Sequence, residues 1–431
     1  MRTMKDSGIP WIGEIPEGWG IDTIGNLYTL RTEKVSDKDY APLSVTKMGI
    51  VPQLEAAAKT DDGDNRKLVR VGDFAINSRS DRRGSCGISA YDGSVSLINL
   101  VLTPRGQMYP RFYNWLFHTE LFADEFYKWG HGIVDDLWTT RWQEMKRISI
   151  VSPSYQEQQR IAEFLDRKCA EVDEMIALQE QIIEELKAYK QSVITEAVTK
   201  GLNPAAPMRD SGIEWIGSIP EHWSTKRLKD VGYLYGGLTG KAGDDFIAED
   251  DETCQYMRFI PYTNIFNNYL INPAQLYKVR IEEGEKQNLV NKGDILFLMS
   301  SEDYDGVGKP AMIDMQVDNL GLNSFCKGFR ITDNGTYPKY LLYLLLSHTL
   351  REMVRQEGKG FIRINLRQDK LSTCPIILPD ITEQQAIADY LDEKCADIDS
   401  LIQTKQSKID SLKEYKKSII YEYVTGKREV E

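Results

Sequence analysis

Patterns that hold metals or bind phosphates are missing from this chain. Its six cysteines stand at positions 86, 169, 254, 326, 374 and 395. None forms a Cys-x-x-Cys pair, so neither a zinc site nor a disulfide framework organises the fold. The four histidines, at 118, 131, 222 and 348, are isolated, with no His-Glu-x-x-His. There is no Gly-x-x-x-x-Gly-Lys-Ser/Thr phosphate loop. The adenine-methyltransferase signature Asn-Pro-Pro-Tyr is also absent, because Asn203-Pro204 and Asn272-Pro273 are both followed by alanine. Asp392-Glu393-Lys394 is a scrap of a nuclease motif, but it lies inside a helical repeat. No stretch approaches the roughly 18 uninterrupted apolar residues that a membrane span needs. The opening MRTMKDSGIPW lacks the apolar run of a signal peptide. The expectation is a cytoplasmic protein with reduced thiols. A basic surplus is missing too. Net charge is −12, spread as −1 over residues 1–155, −4 over 156–200, −4 over 201–380 and −3 over 381–431. A nucleic-acid partner would therefore need local basic patches, or other subunits that supply phosphate contacts.

What is present is a sequence written twice. Residues 4–19 read MKDSGIPWIGEIPEGW and residues 208–223 read MRDSGIEWIGSIPEHW, identical at 12 of 16 positions. Residues 157–176 read EQQRIAEFLDRKCAEVDEMI and residues 383–402 read EQQAIADYLDEKCADIDSLI, identical at 12 of 20. The offsets are 204 and 226, so the two halves share a start and an end around middles that differ in length by 22 residues. One echo survives in the middles: Gly72-Asp73-Phe74 beside Gly293-Asp294-Ile295. A common frame with divergent contents suggests two modules that read two different things.

The repeated end reads as a long helix. Ser154-x-x-Glu157 is a capping box, and Asp380-x-x-Glu383 stands at the matching place. Gly201 with Pro204, and Gly426, are the stop signals. Each helix is expected to run about 43 residues, or about 65 Å at ~1.5 Å per residue. Apolar positions follow a heptad: Leu165, Val172, Leu186 and Val193 with Ala162, Cys169, Ile176, Ile183 and Ala197 in the first helix. The second carries Leu391, Ile398, Leu412 and Ile419 with Ala388, Cys395, Ile402, Ile409 and Tyr423. A stripe this narrow predicts a coiled-coil seam, with Gln179, Lys190, Lys405 and Lys416 as polar register markers. Connectivity makes the pair antiparallel. The expected fold is α+β: two pseudo-twofold-related modules separated by an antiparallel coiled coil, with the C-terminus near the N-terminus. The boundaries are residues 1–153, helix 154–201, residues 202–379 and helix 380–431.

Within the modules, tryptophans 11, 19, 215 and 223 are expected to pack. Strands are expected at 41–45, 73–76, 95–102, 148–151, 258–261, 294–299, 325–331 and 375–379. Single helices are expected at 110–129 and 337–357.

The duplicated EQQ-I-A-x-x-L-D helix, the repeated DSGI-x-WIG-x-IP-E-x-W opening and the paired Gly-Asp strands resemble the specificity subunit of type I restriction-modification enzymes, over essentially the whole chain. The resemblance implies two target-recognition domains, each reading one half of a split DNA site, with the helices setting the unread gap. It implies a non-catalytic subunit. Two methyltransferase subunits using S-adenosylmethionine, and restriction subunits using ATP and Mg2+, would supply the chemistry. Base edges are read by Arg, Lys, Asn, Gln, Ser and Thr. The candidates in the first module are Asn77, Ser78, Arg79, Arg82, Arg83 and Ser85, then Thr140 and Arg141, then Thr46 and Lys47. In the second they are Lys359, Arg363, Asn365 and Arg367, then Thr263 and Asn264 (matched in position to Val45-Thr46-Lys47), and Lys309. The acidic loop of Glu302 and Asp303 weakens the analogy between modules unless a carboxylate accepts from a cytosine amine. A pure protein-holding scaffold and a self-sufficient nuclease or methyltransferase stand as alternatives.

Overall fold

The computed structural model describes residues 2–53, 63–132, 138–247, 255–360 and 362–430. Two compact units divide it: residues 1–180 with 406–431, and residues 181–405. Each unit therefore takes one part of each long helix.

In the first unit the repeated opening is a hairpin. Met4–Asp6 pairs antiparallel with Glu14–Pro16, and the intervening loop turns at Gly8 and Gly13, whose φ values of 67° and 74° lie in the left-handed region. Gly20–Thr23 pairs with Ser149–Ser152, which brings the two ends of the module together. A four-stranded sheet has the order Cys86–Ile88, Phe74–Asn77, Asn99–Pro104, Tyr28–Leu30. Helices Pro110–Phe117 and Glu120–Lys128 supply Phe112, Phe117 and Phe122 to its core, beside Trp19, Tyr28 and Phe74. Leu165, Cys169, Ile419 and Tyr423 from the long helices belong to the same core.

The second unit repeats this plan. Met208–Asp210 pairs with Ser218–Pro220, and Ser224–Arg227 with Pro375–Leu378. Its sheet runs Gly232–Gly236, Cys326–Ile331, Ile295–Leu298, Pro310–Met312, the same order read from the other edge. Phe246–Ile247, Tyr277–Arg280, Tyr256–Ile260 and Leu320–Leu322 form a second four-stranded sheet. This sheet draws on much of the extra chain length, with its own core around Met257, Phe259 and Val279.

Two expected helices are each broken in two. The breaks fall at Thr119 and Ser347, whose hydroxyls accept from Phe122 N at 3.2 Å and Leu350 N at 3.5 Å while donating to Leu116 O and Leu344 O. A hydroxyl that caps the next helix this way ends the previous one. Proline at the first position starts both preceding helices. The expected strand at 95–102 is likewise two, Gly93–Val95 and Asn99–Pro104, and the opening hairpins are additions to the expected strands.

The long helices span Tyr155–Lys200 and Ile381–Val424, 46 and 44 residues. Ser154 Oγ accepts from Glu157 N at 3.3 Å and Asp380 Oδ1 from Glu383 N at 2.9 Å, so both caps form. Both helices end on a left-handed glycine, Gly201 at φ 74° and Gly426 at φ 72°. Every heptad seam residue is buried or half-buried. The helices pack antiparallel in each unit. In the first, the Phe164 and Tyr423 ring centroids lie 4.4 Å apart and Lys416 meets Asp173 at 2.6 Å. In the second, Lys190 meets Asp399 at 2.7 Å. The two termini meet within the first unit, where Arg2 bonds Glu429 at 3.0 Å and also Glu157.

Of the four repeated tryptophans, Trp19 and Trp223 are buried, and Trp11 and Trp215 half-buried. Cys86, Cys169, Cys326, Cys374 and Cys395 are buried free thiols, and Cys254 lies outside the described residues. No helix of the described residues is long and apolar enough to cross a membrane.

Candidate nucleic-acid interface

The Gly-Asp element positions the candidate surface in each module. Gly72 and Gly293 adopt φ of 88° and 89°, left-handed turns immediately before the two aspartates. Asp73 Oδ2 accepts from Arg70 N at 2.8 Å, and Asp294 Oδ2 from Asn291 N at 2.8 Å. Both carboxylates are nearly buried, and each is clasped by an arginine: Arg31 on Asp73 at 2.7 and 2.9 Å, Arg330 on Asp294 at 3.0 and 2.7 Å. These hydrogen bonds hold both guanidinium pKa values above the ordinary one. The aspartates are therefore structural, and the candidate contact residues lie in the loops beyond the strands that follow them.

After each strand the chain meets a second segment. In the first module Thr140 N donates to Ser78 O at 3.0 Å and Ser80 N to Trp138 O at 3.0 Å. In the second, Leu366 N donates to Met299 O at 2.9 Å, and Ser300–Ser301 pairs with Ile364–Asn365. The second segments continue the likeness. Thr139 and His131 exchange backbone bonds at 2.9 and 3.1 Å, as Asn365 and Lys359 do at 3.0 and 2.9 Å. Arg141 and Arg367 then immediately precede the short helices Trp142–Met145 and Gln368–Ser372. Two clusters far apart in sequence thus lie together, at equivalent places in both modules.

Arg82, Arg141, Arg363 and Arg367 are exposed on these surfaces. Arg82 pairs with Asp81 at 3.6 Å and with no other acid among the described residues, and Arg367 reaches Asp369 at 3.0 Å. Arg141 makes no ion pair among the described residues. Arg363 lies over the Phe325 ring, 5.4 Å from its centroid. Arg79 lies 3.5 Å from Asp81, and Arg83 pairs with Asp124. Lys359 and Asn365 are exposed on the same strand ladder, and Lys47 sits at the exposed tip of the hairpin Leu43–Thr46/Gly49–Pro52. Asn77 Oδ1 accepts from Arg79 N at 3.1 Å, shaping the loop.

Several candidates are corrected by burial. Thr140 is fully buried and donates to Phe126 O at 2.8 Å. Asn264 is fully buried and donates to Asn272 O and Gln275 O. Ser78 is buried and donates to Ile98 O at 2.6 Å, and Ser85 is buried beside it in the loop. Thr46 spends its hydroxyl on Gly49 O inside its own turn. Lys309 reaches Phe266 O, and burial beside Arg351 lowers its pKa. Side chains so engaged are not free to bind a ligand. The positional match of Tyr262-Thr263-Asn264 with Val45-Thr46-Lys47 also fails, since the former begin a helix, Tyr262–Asn267, and the latter end a strand. Thr263 remains exposed, on a 460 Å³ cleft that it shares with Glu302, Phe325 and Arg363. Sequence reading missed Phe325. It is 56% exposed although it sits at the edge of a strand, and an apolar run gives no sign of which member turns outward.

Residues 220–424 match the model of the type I restriction modification DNA specificity domain. The chain is similar to the MjaVIII specificity subunit of Methanocaldococcus jannaschii, 24% identical over 282 residues covering 65% of this chain and 62% of that protein. It is also similar to the putative MjaX specificity subunit of the same organism, 30% identical over 220 residues covering 49% of this chain and 47% of that protein. The chain thus spans half to three fifths of the length of these curated relatives. A chain of a solved type I R-M system has the same fold, with a TM-score of 0.72 at 16% identity over 96% of this chain and 99% of that one.

Proposed function

We propose, with the match of residues 220–424 to the type I restriction modification DNA specificity domain as the premise, that this chain reads a bipartite DNA site as the specificity subunit of a type I complex. The observation that carries the proposal is the twin surface. In both modules the loop after the Gly-Asp strand meets an arginine-bearing segment, in the same backbone arrangement but with different side chains. A common frame with different contacts is what reading two unlike half-sites requires. Exposed arginines supply phosphate contact and base reading, while the chain's negative balance leaves much of the phosphate neutralisation to partners.

The chain performs no chemistry of its own in this reading. Two methyltransferase subunits with S-adenosylmethionine modify adenines, and restriction subunits with ATP and Mg2+ translocate and cleave. The complex is cytoplasmic. The test is a gel shift of the chain with its methyltransferase subunits against randomised duplexes. The expected result is a preferred motif of two fixed half-sites with an indifferent gap. Binding with no such preference would leave the chain as a scaffold. Methyl transfer or cleavage by the chain alone would assign it catalysis.

A further inference from the structure

The cleft in the second module carries charge of an unusual kind for a DNA-facing surface. Glu302 lines it, is exposed, and makes no hydrogen bond or ion pair among the described residues. Its neighbour Asp303 is spent inside the loop, where Oδ1 accepts from Gly306 N at 2.6 Å. Counted from Asp73 and Asp294, the residue equivalent to Glu302 in the first module is Asp81. That carboxylate is flanked by Arg79 at 3.5 Å and Arg82 at 3.6 Å. Among the described residues the second module gives its acid no cation partner. Across the same cleft stands Arg363, with no ion pair among the described residues and with its guanidinium over Phe325.

We propose that Glu302 and Arg363 together read one cytosine–guanine base pair in the half-site of the second module. This rests on the proposed function. An unneutralised carboxylate repels phosphate, so it belongs opposite base edges rather than the backbone. It can only accept hydrogen bonds. The cytosine N4 amine is the major-groove donor it fits, as arginine fits guanine O6 and N7. A C·G pair presents that donor and those acceptors side by side. The Phe325 ring under Arg363 restrains the guanidinium, which lowers the entropy lost on binding.

The test uses the chain assembled with its methyltransferase subunits, selected against duplexes randomised in both half-sites. Wild-type protein is expected to require a C·G pair at one position of the second half-site. Glu302→Ala should reduce discrimination there by about tenfold or more, and Arg363→Ala should relax the same position. Glu302→Gln should shift the preference toward adenine, whose N6 and N7 suit an amide. The first half-site, read by the other module, should stay unchanged in every variant. The proposal is overturned if the variants keep the wild-type consensus, if both half-sites weaken together, or if the second half-site contains no C·G pair. Wild-type protein that prefers no gapped duplex instead overturns the function beneath it.

Discussion

Arg330 closes on Asp294 with Nε at 3.0 Å and Nη2 at 2.7 Å, from a different strand than the one that supplies Arg31 to Asp73. Strand register fixes the equivalence residue by residue. Phe74 pairs with Leu102, which pairs with Leu30; Ile295 pairs with Phe329, which pairs with Leu234. The next residues along are Thr103 and Arg31 in one module, Arg330 and Tyr235 in the other. Thr103 and Tyr235 donate their hydroxyls to the two aspartates at 3.0 and 2.6 Å. Cation and hydroxyl have exchanged strands while the carboxylate kept both partners.

Arg31→Tyr alone should therefore destabilise the first module, because a nearly buried carboxylate loses its counterion, a loss of about 3 kcal/mol for such sites. Adding Thr103→Arg should recover most of it. The check is a double-mutant cycle by denaturant melting, and additive losses would deny that the two strand positions are interchangeable.

The same doubling holds in the helical seam. Lys190 and Asp399 are matched by Lys416 and Asp173, each residue displaced by the repeat offset. Each lysine crosses from one helix to an aspartate on the other, so sliding the helices by one heptad breaks both bonds. Replacing both lysines by leucine should leave melting temperature unchanged or slightly higher, since partly exposed pairs contribute about 0–1 kcal/mol. It should broaden the register of cysteine cross-links engineered between the helices. A single unchanged cross-link pattern would deny them that role.

The parts of this fold that are legible in sequence are those governed by period and repetition. The seam from Leu165 to Val193 and from Leu391 to Ile419 follows from spacing alone, and Gly201 and Gly426 end the helices as expected. The hairpin Met4–Asp6/Glu14–Pro16 is not legible, because three-residue strands carry no period. The breaks at Thr119 and Ser347 depend on a hydroxyl choosing the backbone of the next helix, which composition does not announce. Among the candidate contacts, residue type could not separate Arg141, exposed, from Thr140, buried one position earlier. The backbone bond from Thr140 N to Ser78 O, a partner far away in sequence, and the bond from Thr140 Oγ1 to Phe126 O decide that.

Acid should loosen the first module as pH falls below about 6.5. His118 donates through Nδ1 to Asn114 O at 2.7 Å, with Cys86 Sγ at 3.8 Å from Nε2. Burial holds its pKa below the ordinary 6.5. The unfolded chain then binds a proton that the folded one refuses, so this contribution is complete above about pH 6.5 and is lost as pH falls through that value toward the folded pKa. His118→Gln should flatten the decline between about pH 7 and pH 5 in thermal melts; an equally steep decline would place the sensitivity elsewhere.

Salt dependence separates the exposed arginines from the engaged ones. Arg82 and Arg141 belong to the two segments that Ser78 and Thr140 join, and both are exposed, whereas Arg83 is held by Asp124. If both arginines meet phosphates, Arg82→Ala with Arg141→Ala should lower the slope of log affinity against log salt by about two, roughly one for each phosphate left unneutralised. Arg83→Ala, whose charge is already partnered, should change the slope less. The measurement is a filter-binding titration of the assembled complex across salt concentrations. A slope unmoved by the double substitution would mean that the two side chains read bases or touch no DNA, and a shift in sequence preference in the same variant would decide between those outcomes.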